Sequence, residues 1–172
     1  MITLSWDDID ELVARLVARL PRDYDLIVVV TRGGMVPACL ISERIDIRNI
    51  VAAAVMFYTE GTVDPSQTLT EPIFLEFPSD ALLHNKRILI VDDVWETGKT
   101  AMVVRRRVRE AGGRADIAVL HYKPGRSAFP EGPDYYAEIT EEWVTYPWDP
   151  VLAKPPRGDA AGYPGRDTAN VG

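Results

Sequence analysis

The strongest constraint on this chain is an unbroken apolar run, Leu26-Ile-Val-Val-Val30, matched later by Ile88-Leu-Ile-Val91. A strand with one wet face alternates apolar with polar residues. A run with no polar residue belongs to a strand covered on both faces. Helical periods lie between such runs. Ile9, Leu12, Val13, Leu16, Val17 and Leu20 repeat on one face of a helix expected over Asp7–Leu20. Ser5 with Asp8 resembles a capping box, and Pro21 marks the stop. Val36–Arg44 reads as a second helix, Asn49–Phe57 as a strand and Ile73–Phe77 as a short strand. The strand Arg87–Val91 leads to a helix over Thr100–Ala111, ended by Gly112-Gly113, and then to a strand at Asp116–His121. Alternating strands and helices specify an α/β fold, a doubly wound, mainly parallel sheet flanked by helices.

In such sheets ligands sit beyond the carboxyl ends of the strands. Thr31–Gly34, Asp92–Thr100 and Lys123 each follow a strand's C-terminus, so they are expected to converge on one face. Tyr58–Pro72 is polar and aperiodic, the length of loop that usually serves as a lid or is disordered. Lys154–Gly172 is rich in Gly, Pro and small polar residues. The expectation is one domain over 1–152, with 153–172 a disordered tail.

Charge narrows the partners. A net charge of −7 argues against nucleic acid, whose backbone calls for a basic surface. A phosphorylated ligand must then be held by local devices: helix N-termini, a few Lys and Arg, or a divalent cation. Cys39 is the sole cysteine, so no intramolecular disulfide forms, and a small buried helix residue is expected there. No apolar run reaches the roughly 18 residues of a membrane span. The first residues carry acids where a secretion signal has bases, so the expected location is cytoplasmic, away from membranes.

The richest chemistry lies in Asp92-Asp-Val-Trp-Glu-Thr-Gly-Lys-Thr100. Paired carboxylates after a strand suit vicinal sugar hydroxyls or Mg²⁺, provided the turn lets Asp92 and Asp93 converge; otherwise one caps the next helix. Gly98 permits close backbone approach, Thr97 and Thr100 bring hydroxyls, and the helix N-terminus offers free N–H groups to a phosphate. Gly98-Lys99-Thr100 matches the end of a Walker A motif, but the glycine needed five positions earlier is Asp93, which excludes a P-loop nucleotidase. Glu96 is either a general base or a surface acid in a first helical turn. Arg32 presents a fork suited to phosphate oxygens, with Gly33 and Gly34 freeing the backbone beside it. Lys123 suits an oxo group, and Trp143 or Trp148 can stack on a flat base or simply pack. His84 and His121 lack partners at metal-ligand spacing.

Together these residues resemble the type I phosphoribosyltransferases. Arg87–Ala101 is similar to that family's signature for 5-phosphoribosyl 1-diphosphate (PRPP). Thr31–Gly34 with Met35-Val-Pro37, the spacing to Lys123 and the tryptophan-containing C-terminal segment resemble its xanthine–guanine and hypoxanthine branch. The resemblance covers roughly residues 1–150. It implies a Mg²⁺-dependent enzyme that moves the phosphoribosyl group of PRPP to a 6-oxopurine. Asp92, Asp93 and Glu96 would be catalytic, with Asp92 and Asp93 at the ribose hydroxyls and Asp93 at the metal. Glu96, Thr97, Gly98, Lys99 and Thr100 would surround the 5′-phosphate, and Arg32, Gly33 and Gly34 would meet the pyrophosphate. Lys123 would contact the purine 6-oxygen and Trp143 would stack on the ring, with the backbone near Val144 reading its edge. Residues 58–72 would be a mobile catalytic loop, 123–150 a base-recognition hood, and the molecule a homodimer or homotetramer. The chain departs from the family pattern at Glu96, where Asp is usual, at the bulky Trp95, and at Lys99, where Gly or Arg is common. Two other readings stay open: a PRPP-sensing regulator without catalysis, and transfer to another acceptor.

Overall fold

The computed structural model describes residues 1–57 and 72–149. Its elements are β1 (Ile2–Thr3), α1 (Trp6–Val17), β2 (Leu26–Val30), α2 (Met35–Ile45), β3 (Ile50–Phe57) and β4 (Pro72–Glu76). These are followed by α3 (Asp80–Leu83), β5 (Arg87–Trp95), α4 (Lys99–Glu110), β6 (Arg114–Tyr122), β7 (Tyr135–Ile139) and β8 (Val144–Thr145).

α1 starts where the sequence says. The Ser5 side chain accepts from the Asp8 N–H, and the Asp8 carboxylate accepts from the Ser5 N–H. Asp7 and Asp8 add favourable charge in the first turn. Ile9, Leu12, Val13, Leu16 and Val17 are buried against the sheet.

The main sheet has six strands in the order β4-β3-β2-β5-β6-β7, all parallel except the β3–β4 pair. Its two faces explain the unbroken apolar runs. Ile27, Val29, Leu89 and Val91 join α1 and α2 in one core; Val28, Val30, Ile88 and Ile90 join α4 in the other. Every residue of β2 therefore leaves water. The chain runs from β2 to β3 on one side, whereas β5 lies on β2's other side. The β2–β5 junction is thus the switch point at which ligands bind in such sheets.

The remaining strands β1 and β8 pair with each other in parallel, outside the main sheet. Ile2 N–H donates to Trp143 O at 2.8 Å and Leu4 N–H to Thr145 O at 3.0 Å. A parallel ladder uses alternate residues of each strand, so the N–H and C=O of Val144, the partner of Ile2, point away from β1.

Three expectations change. β5 continues to Trp95, so Asp92 and Asp93 lie inside the strand and not in a turn after it. Cys39 is exposed on α2, because the helix turns Ala38, Ile41, Ser42 and Ile45 inward instead. The short elements β1, α3, β7 and β8 carried no periodicity to find. The expected lid over Tyr58–Pro72 lies, but for Pro72, outside the described residues, as does the tail.

Candidate active site

The loop after β2 rests on the end of β5, and two glycines make that possible. A Cβ on Gly33 would lie 2.5 Å from the Asp93 Oδ1. One on Gly34 would fall 2.8 Å from Val30 O and closer still to Val91 O. Gly34 itself has ordinary helical angles, φ −70° and ψ −12°. The glycines are therefore needed for close approach, not for the unusual backbone angles expected from the sequence. Arg32 is exposed at the loop's tip, with no ion pair among the described residues.

On β5 successive side chains leave opposite faces. Asp93 turns to the Thr31–Gly34 loop, while Asp92 follows Ile88 and Ile90 toward the α4 side. Asp92 Oδ1 accepts from the Asp93 N–H at 2.9 Å. Burial, reinforced by the charge of Asp93, pushes Asp92 well above the usual carboxylate range. Burial also lifts Asp93 to about 6. Two carboxyls that burial makes reluctant to ionise mark a place built for a positive partner.

After β5 the chain turns through Gly98, whose φ of +75° favours glycine, and opens α4. The buried Trp95 ring packs directly against Gly98. Any Cβ on Gly98 would overlap that ring. Gly98 at the N-cap offers no side chain, and the Thr97 hydroxyl accepts from the Lys99 N–H at 3.4 Å. The N–H groups that follow can face an anion, with Thr97 and Lys99 exposed beside them.

The far end of the site is held by side chains. Lys123 follows β6 and is only 4% exposed. Its Nζ lies 3.4 Å from Glu96 Oε1 and 5.7 Å from the centre of the Trp143 ring. Arg126 Nη1 donates to the same Glu96 oxygen at 2.8 Å. Trp95 Nε1 donates to Ser127 Oγ at 3.0 Å, and Ala128 N–H to Thr97 O at 3.0 Å. The two loops are therefore joined at several points. One polar atom here is orphaned, the buried Trp143 Nε1, which has no partner among the described residues.

A loop fitted closely to a buried carboxylate, a glycine-turned helix N-terminus and a buried lysine beside an aromatic ring thus lie at one switch point. The phosphoribosyl transferase domain model matches residues 3–154 of this chain. The chain belongs to the phosphoribosyltransferase family. It is 32% identical to the xanthine-guanine phosphoribosyltransferase of Cereibacter sphaeroides, with 90% of this chain and 92% of that protein covered. It is 30% identical to that of Roseobacter denitrificans, with 90% of each chain covered. The purine phosphoribosyltransferase structure from Pyrococcus horikoshii superposes with a TM-score of 0.72 at 35% identity, over 90% of this chain and 98% of that one.

In this phosphoribosyltransferase the residues singled out from the sequence lie around the ends of adjacent strands β2, β5 and β6, with Trp143 and Val144 reaching them from β8 and the residue before it. Sequence reasoning missed Arg126, Ser127, His121 and Tyr146. Arg126 stands three residues after Lys123, and Lys-Pro-Gly-Arg was a visible basic pair. His121 and Tyr146 gave no signal of their own. His121, 1% exposed, is held neutral by burial, which pushes it down to about 4. No helix among the described residues is long and apolar enough to cross a membrane.

The donor set also bears on a metal. No cluster of three or more His, Cys, Asp or Glu side chains is present among the described residues. A closed all-protein cage is therefore absent there. Mg²⁺ usually takes one or two carboxylates and completes its shell with waters and substrate phosphates. Asp93, facing the Thr31–Gly34 loop, fits as a single carboxylate, whereas Asp92 leaves the opposite face of β5.

Proposed function

We propose that this phosphoribosyltransferase moves the 5-phosphoribosyl group of PRPP to a 6-oxopurine, releasing pyrophosphate and a purine nucleotide. The observation that carries the reading is the buried Lys123 ammonium beside the Trp143 ring, at the end of the chain's phosphate cradle. An ammonium donates only, so it selects an oxo group over an amino group. The ring offers a flat face to a base, and Val144's main-chain groups, turned away from β1, are free to read its edge. The names of the curated relatives point the same way.

Each part of the chain then has a task. Asp92 and Asp93 hold the ribose hydroxyls, and Asp93 would hold Mg²⁺. The cation supplies charge neutralisation for the departing pyrophosphate. Arg32 meets that pyrophosphate, and the Gly33–Gly34 backbone lets it approach Asp93. Thr97, Gly98, Lys99, Thr100 and the start of α4 take the 5′-phosphate. Glu96 shares the purine proton while Lys123 and Arg126 hold its carboxylate. These groups stand preorganised around the charge that develops as the glycosidic bond exchanges, which is where electrostatic catalysis acts.

The test is an absorbance assay with PRPP, Mg²⁺ and hypoxanthine, guanine or xanthine. Nucleotide formation with at least one is expected, and PRPP binding without turnover on any nucleobase would sink the reading in favour of a sensor. In the same assay Lys123→Ala should raise KM for the base roughly 10- to 100-fold, the loss of a charge-assisted hydrogen bond, and leave KM for PRPP nearly unchanged.

A further inference from the structure

Tyr146 directly follows β8 and is 4% exposed. Its hydroxyl lies 3.1 Å from the main-chain carbonyl of Asp93 and 2.8 Å from His121 Nδ1. A carbonyl only accepts, so the hydroxyl's one hydrogen goes to Asp93 O. His121 Nδ1 must then carry the hydrogen of the neutral ring and donate to the hydroxyl. The three groups form a directed chain, β6 to β8 to β5, with no water needed. The ring is fixed as well: it stacks on Trp148 at 4.7 Å and 8°, and the Tyr146 N–H donates to Asp149 Oδ2 at 2.8 Å.

This chain joins the two halves of the site at the backbone. Residues just before Tyr146 form the base side; the carbonyl it grips belongs to the residue assigned to ribose and metal. We propose that Tyr146 is a positioning residue whose hydroxyl, held by His121, sets the backbone of Asp93 and so couples PRPP binding to the placement of β8. The inference rests on the function proposed above. Tyr146 touches no reacting atom. It acts through Asp93, as groups behind metal-ligating residues commonly do. Coupling of this kind is reciprocal: a base that orders β8 tightens PRPP, and PRPP tightens the base by the same factor.

The experiment is calorimetry of Mg²⁺–PRPP binding to the full chain in the absence of base, wild type against Tyr146→Phe. Phenylalanine keeps the stacked ring and removes only the hydroxyl. PRPP affinity should fall roughly tenfold, while the melting temperature changes little and KM for the base changes less than KM for PRPP. His121→Leu should give a smaller loss in the same direction, and the double variant should be no worse than Tyr146→Phe alone, since the two act as one unit. Unchanged PRPP affinity in Tyr146→Phe overturns the inference. So does an equal fall in PRPP and base affinity accompanied by a lower melting temperature, or a double-variant loss equal to the product of the single ones. A wild-type protein that binds no PRPP overturns the proposed function and the coupling together. One that binds while the variants match it overturns the coupling alone.

Discussion

The side of this site proposed for phosphate and the side proposed for the base are held together in different ways. On the phosphate side the backbone does the work. Gly33 and Gly34 let one loop lie on Asp93 and Val91, and a left-handed Gly98 turns the chain into α4. The side chains there, Arg32, Thr97 and Lys99, are exposed, and only the Thr97 hydroxyl is engaged, by the Lys99 N–H. On the base side the side chains are already engaged. Lys123 and Arg126 hold Glu96, Trp95 holds Ser127, and His121 with Tyr146 holds Asp93 O. A backbone cradle offers a fixed shape that any ligand with the right phosphate can enter. A side-chain network can exchange partners, so the base side is where specificity can be adjusted without rebuilding the fold.

The sharpest way to break this contrast is Gly34→Ala. Its Cβ would meet two strand carbonyls, neither of which can rotate away. Overpacking of this kind should cost about 3 kcal/mol in denaturant unfolding, and displacing the loop should lower kcat/KM on the order of 10²-fold. Near-normal stability and turnover would show that the loop can reseat, and the cradle would not be rigid.

A second, intermediate effect concerns pH. Asp93, raised by burial from 3.8 to about 6, stabilises the fold fully below 3.8, and this is lost as pH rises through about 6. His121 acts in the opposite sense. Lowered by burial from 6.5 to about 4, it stabilises the fold above 6.5, and this is lost as pH falls through about 4. Asp92, also raised by burial, sides with Asp93, so the two carboxyls outweigh the histidine. Metal-free wild type should therefore melt at falling temperature from pH 4 to pH 6.5, and Asp93→Asn should fall less. Parallel thermal profiles for the two proteins would show that the phosphate side carries no strain from its carboxylates.

The smallest expected effect tests the seam between the halves. Trp95→Phe keeps an aromatic ring under Gly98 but drops the bond to Ser127 and part of the volume. A loss of about 1–2 kcal/mol is expected, with both KM values rising about threefold. A change in one KM alone would place Trp95 on one side of the site and not across the seam.

The contrast also decides what was legible in the sequence. A backbone cradle is local, so strand, acids, small residues and helix follow one another in the chain and can be read in order. The cover on both faces that hides every residue of β2 shows in its unbroken apolar run for the same reason. The network is not local: His121 and Tyr146 are 25 residues apart, and Tyr146 lies 53 from Asp93. A histidine or tyrosine looks the same whether it packs, titrates or bridges. Cys39 failed differently: its burial was expected from residue type alone, and α2 turns Ala38, Ile41, Ser42 and Ile45 inward instead. The reach of β5 to Trp95 was hidden by its own acids, polar residues that usually end a buried strand.

The pairing of β1 with β8 has a consequence in time. Ile2 leaves the ribosome long before Val144 exists. A nascent chain that has just released β6 already holds the strands of the phosphate cradle, yet β1 must wait, its N–H groups facing water. Growth of the chain thus imposes an order on assembly, with the pocket proposed for the acceptor closing last, and a stalled or clipped product would keep the proposed sugar-phosphate side without it.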